Sequence, residues 1–285
     1  MDHSNRTWKE VAGTNMADYG ITLEYLDQIA IIRFDRPERR NTFNEVMWNE
    51  LDGVITQLKR ILPRVVILTG AGETSFSAGF DVNVDNPQVS ELIGVMETHD
   101  RAPVEKLIRR IRRVVDSLFA LPIPVIAAMN GSAYGGGAEL AARCDMRVMD
   151  PDAVICFSEV RLGLMPDWGG AAALPRLIGP SRAADMILSA REITAREAFS
   201  CGLVNRISSP KKALAESIDL AHMIADNGPR AVRSALEVIR STSNPSLEEA
   251  LELEMEKAIS LIATGECFHG ISAFLSKEKP EFPDA

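Results

Sequence analysis

The chain has 285 residues, 46% apolar and 25% charged, enough to bury one sizeable core and carry an appendage. A net charge of −9 argues against nucleic acid as the main partner, so an anionic ligand must be met by a local basic cluster. Four scattered cysteines (Cys144, Cys156, Cys201 and Cys267) form no CxxC pair and no metal-type spacing with His, which predicts reduced thiols, a cytoplasmic protein and no metal site.

In chain order, "MDHSNRTWKEVAGTNMADYG" lacks the apolar stretch of a signal peptide and is expected to be a loose arm. No run approaches the roughly 18 apolar residues of a membrane span, so no membrane role is expected. "ITLEYLDQIAIIRFDRP" predicts a strand pair with Ile29 to Phe34 buried. "NEVMWNELDGVITQLKRI" places Met47, Leu51, Val54, Ile55 and Leu58 on one helical face. "RVVILTGAG" reads as a buried strand ending in a glycine turn, and "FSAGFD" as a glycine-marked loop. Residues 86 to 120 read as a polar, then basic amphipathic helical region broken at Pro103.

"IPVIAAMNG" is a second buried strand, followed by the turn and helix of "GGGAELAARCD" and the short strands "MRVMD" and "AVICF". The repeated strand–strand–helix order predicts stacked turns with layered short sheets, an α/β arrangement distinct from a doubly wound sheet. After "PRLIG" the pattern turns helical. Thr194 with Glu197 and Ser246 with Glu249 have capping-box spacing, and Gly202 and Gly265 read as helix stops. The last long helix has an apolar face that must pack on its own core or on a neighbouring subunit.

Two glycine-marked turns draw the chemical reading. A Gly-rich turn that opens a helix leaves N–H groups unpaired, with the positive end of the helix dipole behind them. The Gly136 N–H is thus a candidate oxyanion donor, and Phe80, in the other turn, a candidate second donor. Taken alone, each turn is more often mere turn chemistry. Glu139 reads as a first-turn helix acid, Glu159 as a loop carboxylate beside Arg161, and Asp167 as a turn residue or cap; if Glu139 and Glu159 converged on a water, they would permit acid and base work at one place.

"FSAGFD", "PVIAAMNGSAYGGGAELAARCD", "FSEVRLGLMPDWGGAAALPRLIG" and "AREAFSCGLVNRI" resemble the crotonase (enoyl-CoA hydratase/isomerase) superfamily from about residue 20 to 282. The resemblance implies a spiral of strand–strand–helix turns with a C-terminal helical trimerisation region, assembled as a homotrimer or hexamer. It divides the chain into an arm (1–18), a spiral core (19–205) and a C-terminal helical region (206–285). The ligand implied is an acyl-CoA thioester, with coenzyme A arriving as part of the substrate and no separate cofactor.

Carried over by position, Phe80 and Gly136 would bind the thioester oxygen, and Glu139 and Glu159 would handle water in syn addition to a 2-enoyl-CoA. Asp167 stands where hydratases of this type commonly have Gly, so it reads as shaping the acyl pocket or as a third proton-transfer group; Trp168 beside it reads as a pocket wall or as packing. Arg39, Arg40, Ala78, Phe274 and Lys277 fall on coenzyme A-binding positions, Phe274 and Lys277 sometimes reaching the ligand of a neighbouring subunit. Other superfamily reactions (double-bond isomerisation, cyclic dienoyl-CoA hydration, C–C bond hydrolysis) would keep the Phe80/Gly136 pair. A non-catalytic scaffold or RNA-binding relative is opposed by the acidic charge and by the presence of both glutamates.

Overall fold

A computed structural model describes residues 20–241 and 246–283; the expected N-terminal arm lies outside them. The first strands, β1 (Ile21–Leu26) and β2 (Ile29–Phe34), pair antiparallel as a hairpin. β2 then continues in parallel through β3 (Val65–Gly70), β5 (Val125–Met129), β7 (Met146–Met149) and β10 (Arg206–Ile207), giving a six-stranded sheet. Each of β3, β5 and β7 feeds a short strand of a second sheet: β4 (Ser75–Ser77), β6 (Ser132–Tyr134) and β8 (Val154–Cys156), closed by antiparallel β9 (Ile193–Thr194). This is the expected spiral of layered turns. The core sheet runs past residue 205, because β10 pairs with β7.

The unbroken apolar strands follow from burial on both faces. Ala30, Ile32, Val66, Leu68, Val125 and Ala127 point into the main core, while Ile31, Val65, Ile67 and Ile126 point into a smaller one. That second core is closed by Leu220 and Ala221 of α8 (Ala213–Ala225). The main core is closed by α1 (Glu45–Arg60), which is capped by the Asn44 side chain and buries Met47, Trp48, Leu51, Val54, Ile55 and Leu58. Trp48 lies fully buried against Phe43 and Trp168, at ring-centroid distances of 4.6 and 4.7 Å.

The helical region expected at 86 to 120 is two helices, α2 (Pro87–Thr98) and α3 (Arg101–Phe119), but the break is not at Pro103. It falls at His99, left-handed at φ 54°, and Asp100, whose side chain caps α3 through the Ala102 N–H. Pro103 sits in the first turn of α3, where a backbone N–H has no helical acceptor to lose. The Ser246–Glu249 capping box forms in both directions ahead of α10 (Leu247–Ala263). At Thr194 only half of it forms: the hydroxyl accepts from the Glu197 N–H, while the Glu197 carboxylate pairs with Arg191.

Candidate active site

The site is built where the two sheets turn into helix α4 (Gly136–Arg143), which starts directly after β6 and Gly135. Phe80 forms a parallel bridge with Phe43 that uses the Phe43 N–H to Gly79 O at 2.7 Å and the Asp81 N–H to Phe43 O at 2.9 Å. The Phe80 N–H therefore faces away from that bridge. Gly79 adopts φ +81°, and a Cβ on it would lie 2.5 Å from the Gly136 nitrogen, so only glycine lets the two turns touch. Neither the Phe80 nor the Gly136 N–H has a hydrogen-bond acceptor among the described residues. Two free amides on backbones in contact, one at a helix N-terminus, are suited to an oxygen that gains negative charge.

Glu139 is 1% exposed and is held by two amides, the Asp167 N–H to Oε1 at 3.2 Å and the Gly170 N–H to Oε2 at 2.7 Å. Glu159 enters from a 3-10 turn after β8 (Glu159–Leu162). Its Oε1 lies 3.6 Å from where a Cβ on Gly135 would be, which brings it beside the start of α4. Both of its carboxyl oxygens are buried without a hydrogen-bond partner among the described residues. A buried acceptor left unpaired in the protein is costly unless a ligand or water meets it.

The three acids influence one another. Burial pushes the Glu139 carboxyl up to about 8, the Gly170 N–H opposes the rise, and Glu159 and Asp167 add to it. Burial likewise raises Glu159, opposed by its own backbone N–H and by the neighbouring Glu139 carboxyl, with Asp167 adding to the rise. Asp167 is raised by burial too, against the pull of its own backbone N–H and of Arg112 on α3. Such a cluster retains protons at neutral pH and can both give and accept them. Trp168 is core: its ring lies edge-on to Phe43 and Trp48, and a Cβ on Gly136 would come within 2.5 Å of it. It is packing and a wall against α4 at once.

A family model for enoyl-CoA hydratase/isomerase matches residues 24–285. The chain belongs to that family. It is 32% identical over 268 residues to a crotonyl-CoA hydratase of Syntrophomonas wolfei, covering 94% of this chain and 99% of the relative. A short-chain-enoyl-CoA hydratase of Clostridium acetobutylicum is 34% identical over 268 residues, 92% of this chain and 96% of the relative. The crystal structure of an enoyl-CoA hydratase from Bacillus anthracis superposes with a TM-score of 0.84 at 34% identity, covering 92% of this chain and 98% of that one. The family is one of enzymes acting on acyl-CoA thioesters, and the solved relatives share the mixed α/β fold.

The five coenzyme A candidates divide into two places. Ala78 donates its N–H to Arg40 O at 2.9 Å, so the basic loop touches the loop that carries Phe80. Arg39 pairs with Asp85 at 2.7 Å, and Arg40, left-handed at φ 52°, has an exposed side chain. Phe274 (81% exposed) and Lys277 belong to the end of α11 (Cys267–Ser276), and no hydrogen bond or ion pair among the described residues joins them to that loop. Sequence reading passed over Arg112, Arg143 and the two amides that hold Glu139. Arg143 had a legible signal, standing one helical turn after Glu139; the amides had none, since a backbone N–H carries no side-chain signature.

Among the described residues no single helix is long and apolar enough to cross a membrane.

Proposed function

We propose that the protein is an enoyl-CoA hydratase-type lyase, adding water reversibly and syn to the double bond of a 2-enoyl-CoA. The observation that carries this reading is the placement of the Glu139 and Glu159 carboxyls together beside the two unpaired amides of Phe80 and Gly136. In the reaction the amides take the thioester oxygen as it gains enolate character, at about 3 kcal/mol per donor. The carboxyls manage the water, one accepting a proton from it as it attacks the β-carbon, the other delivering a proton to the α-carbon. The unsatisfied oxygens of Glu159 supply acceptors for that water, and the amide-held, proton-retaining Glu139 supplies the second role. The hydratase names of the Syntrophomonas and Clostridium relatives support the same chemistry.

The coenzyme A moiety would lie along Arg39, Arg40 and Ala78, with Phe274 and Lys277 closing on it from the C-terminal helices. A homotrimer or hexamer accords with the apolar side chains those helices leave exposed, Leu251, Met255 and Ile259 among them. A second reading within the family, double-bond isomerisation, is favoured by Asp167: a third carboxyl raised by burial could carry a proton between carbons of the acyl chain.

Loss of enoyl absorbance on mixing with crotonyl-CoA, with product mass measured in 18O water, separates the two readings. Hydration incorporates solvent oxygen and isomerisation does not. Glu139→Gln and Glu159→Gln are each expected to lower turnover by about 10²- to 10⁴-fold, and intact turnover in both would refute the two-acid mechanism.

A further inference from the structure

The turn of residues 167–170 lies along one face of α4, and the helix touches it at three positions spaced i, i+3 and i+7. Gly136 receives the Trp168 ring, Glu139 receives the N–H groups of Asp167 and Gly170, and Arg143 donates from Nη1 to the Trp168 carbonyl at 3.1 Å. The same Nη1 meets Asp116 Oδ1 of α3 at 2.6 Å, and the guanidinium lies 4.9 Å over the Phe119 ring. Asp116 is in turn 3.3 Å from Arg112, whose charge also acts on Asp167. Gly169 sits at φ +111°, where a Cβ would come within 2.8 Å of the Arg143 Cδ; the turn is shaped to take this side chain.

We propose that Arg143 is a positioning residue: by gripping the Trp168 carbonyl it holds the 167–170 turn against α4, so that the Asp167 and Gly170 amides keep the Glu139 carboxyl aimed into the site. The proposal rests on the role given to Glu139 above. The physical need is plain. Two N–H bonds steer Glu139, one from Asp167 in the loop and one from Gly170, the first residue of a helix (Gly170–Ile178), and an untethered 167–169 loop would let the first bond drift and loosen the start of that helix. A misplacement of about 1 Å at a reacting group can cost roughly 10²-fold in rate. A single Nη1 of Arg143 binds the Asp116 carboxylate and the Trp168 carbonyl together while the guanidinium plane stands over the Phe119 ring, a stacked arrangement that an ammonium on a flexible stem holds less well.

The test is Arg143→Met, with Arg143→Lys and Asp116→Asn beside it, read by enoyl-CoA hydration and by 13C NMR titration of the Glu139 carboxyl, assigned through Glu139→Gln. Glu139 faces Glu159 and Asp167, and Arg112 stands beyond Asp167, so all three remain in place in every variant. In Arg143→Met, kcat is expected to fall about 10- to 100-fold while KM changes by less than about threefold. The Glu139 titration should move to higher pH, because the amide that favours its anion loosens. Arg143→Lys should recover part of both effects, and Asp116→Asn should show a smaller shift in the same direction.

A folded Arg143→Met with unchanged kcat and unchanged Glu139 titration overturns the proposal. So does a loss of stability with the titration unmoved, the mark of a merely structural arginine. Should Arg143→Met not fold, wild-type behaviour in both other variants overturns it equally. If the unaltered protein turns over no enoyl-CoA, the proposed function fails, while the titration still decides whether Arg143 positions Glu139.

Discussion

The middle of the chain and its C-terminal helices treat their apolar and charged residues in opposite ways. Around α4 the protein buries what is ordinarily kept in water: Glu139 is almost fully enclosed, two further acids stand beside it, and Trp168 and Trp48 pack behind. In α10 and α11 it exposes what is ordinarily buried, with Leu247 at 77%, Ile262 at 64% and Phe274 at 81%. The first region is closed by its own fold. The second presents exposed apolar side chains of the kind that mark an interaction surface. Patterning marks both as amphipathic helices, so the pattern by itself does not distinguish a face that meets its own core from one that does not.

The contrast can be broken first at the core. Trp48→Ala removes the ring on which Phe43 and Trp168 pack and is expected to cost about 3–5 kcal/mol in chemical unfolding, with activity lost as the Trp168 turn relaxes. A smaller loss would mean that the site is less dependent on this aromatic stack than its contacts indicate.

The acid cluster offers the next handle. Glu139 titrates near 8 in the folded protein against an ordinary 4.5, so over that range the native state binds more protons than the unfolded chain. Stability should therefore fall as pH rises from about 4.5 to about 8, and Glu139→Gln should make the fall shallower and leave the variant relatively more stable at the alkaline end. Unfolding midpoints measured across that window check the sign.

Gly136→Ala sharpens the comparison further. Its methyl would press on the Trp168 ring at 2.5 Å, and overpacking of this kind is expected to cost about 1–3 kcal/mol. Hydration should suffer beyond that loss, because the same residue supplies a candidate oxyanion donor.

The smallest effect on the single chain is expected in the tail. Ile259→Ser, at a side chain 57% exposed, should change the intrinsic stability of one chain by no more than about 0.5 kcal/mol. If the stripe is an interface between copies, light scattering should show a lower particle mass at the same concentration. An unchanged mass would show that this face is covered by something else or left bare.

Much of the fold was legible from particular residues. The apolar runs of β2, β3 and β5 announced buried strands, and Thr194 and Ser246 marked helix starts that the structure places where expected. Pro103 misled, because a proline ends a helix only when its N–H or the preceding turn matters, and in a first turn neither does. In the site, the glycine turns and the three acids were legible one by one as candidates. Their grouping rested on resemblance, since Glu139 and Glu159 are separated by a strand pair and a loop.

The linear order of residues, read by itself, determined which segments could be strands and helices and which turns needed glycine, because those depend on side-chain period and local backbone sterics. It also supplied three acids in a chain otherwise free to keep them in water. Only the packing of one spiral turn on the next decided that these acids share one buried place, that amides of the 167–170 turn hold one of them, and that Arg143 reaches that turn. Proximity between distant residues is settled by the three-dimensional path of the backbone, and burial, which moves the proton affinities, exists only once that path is closed.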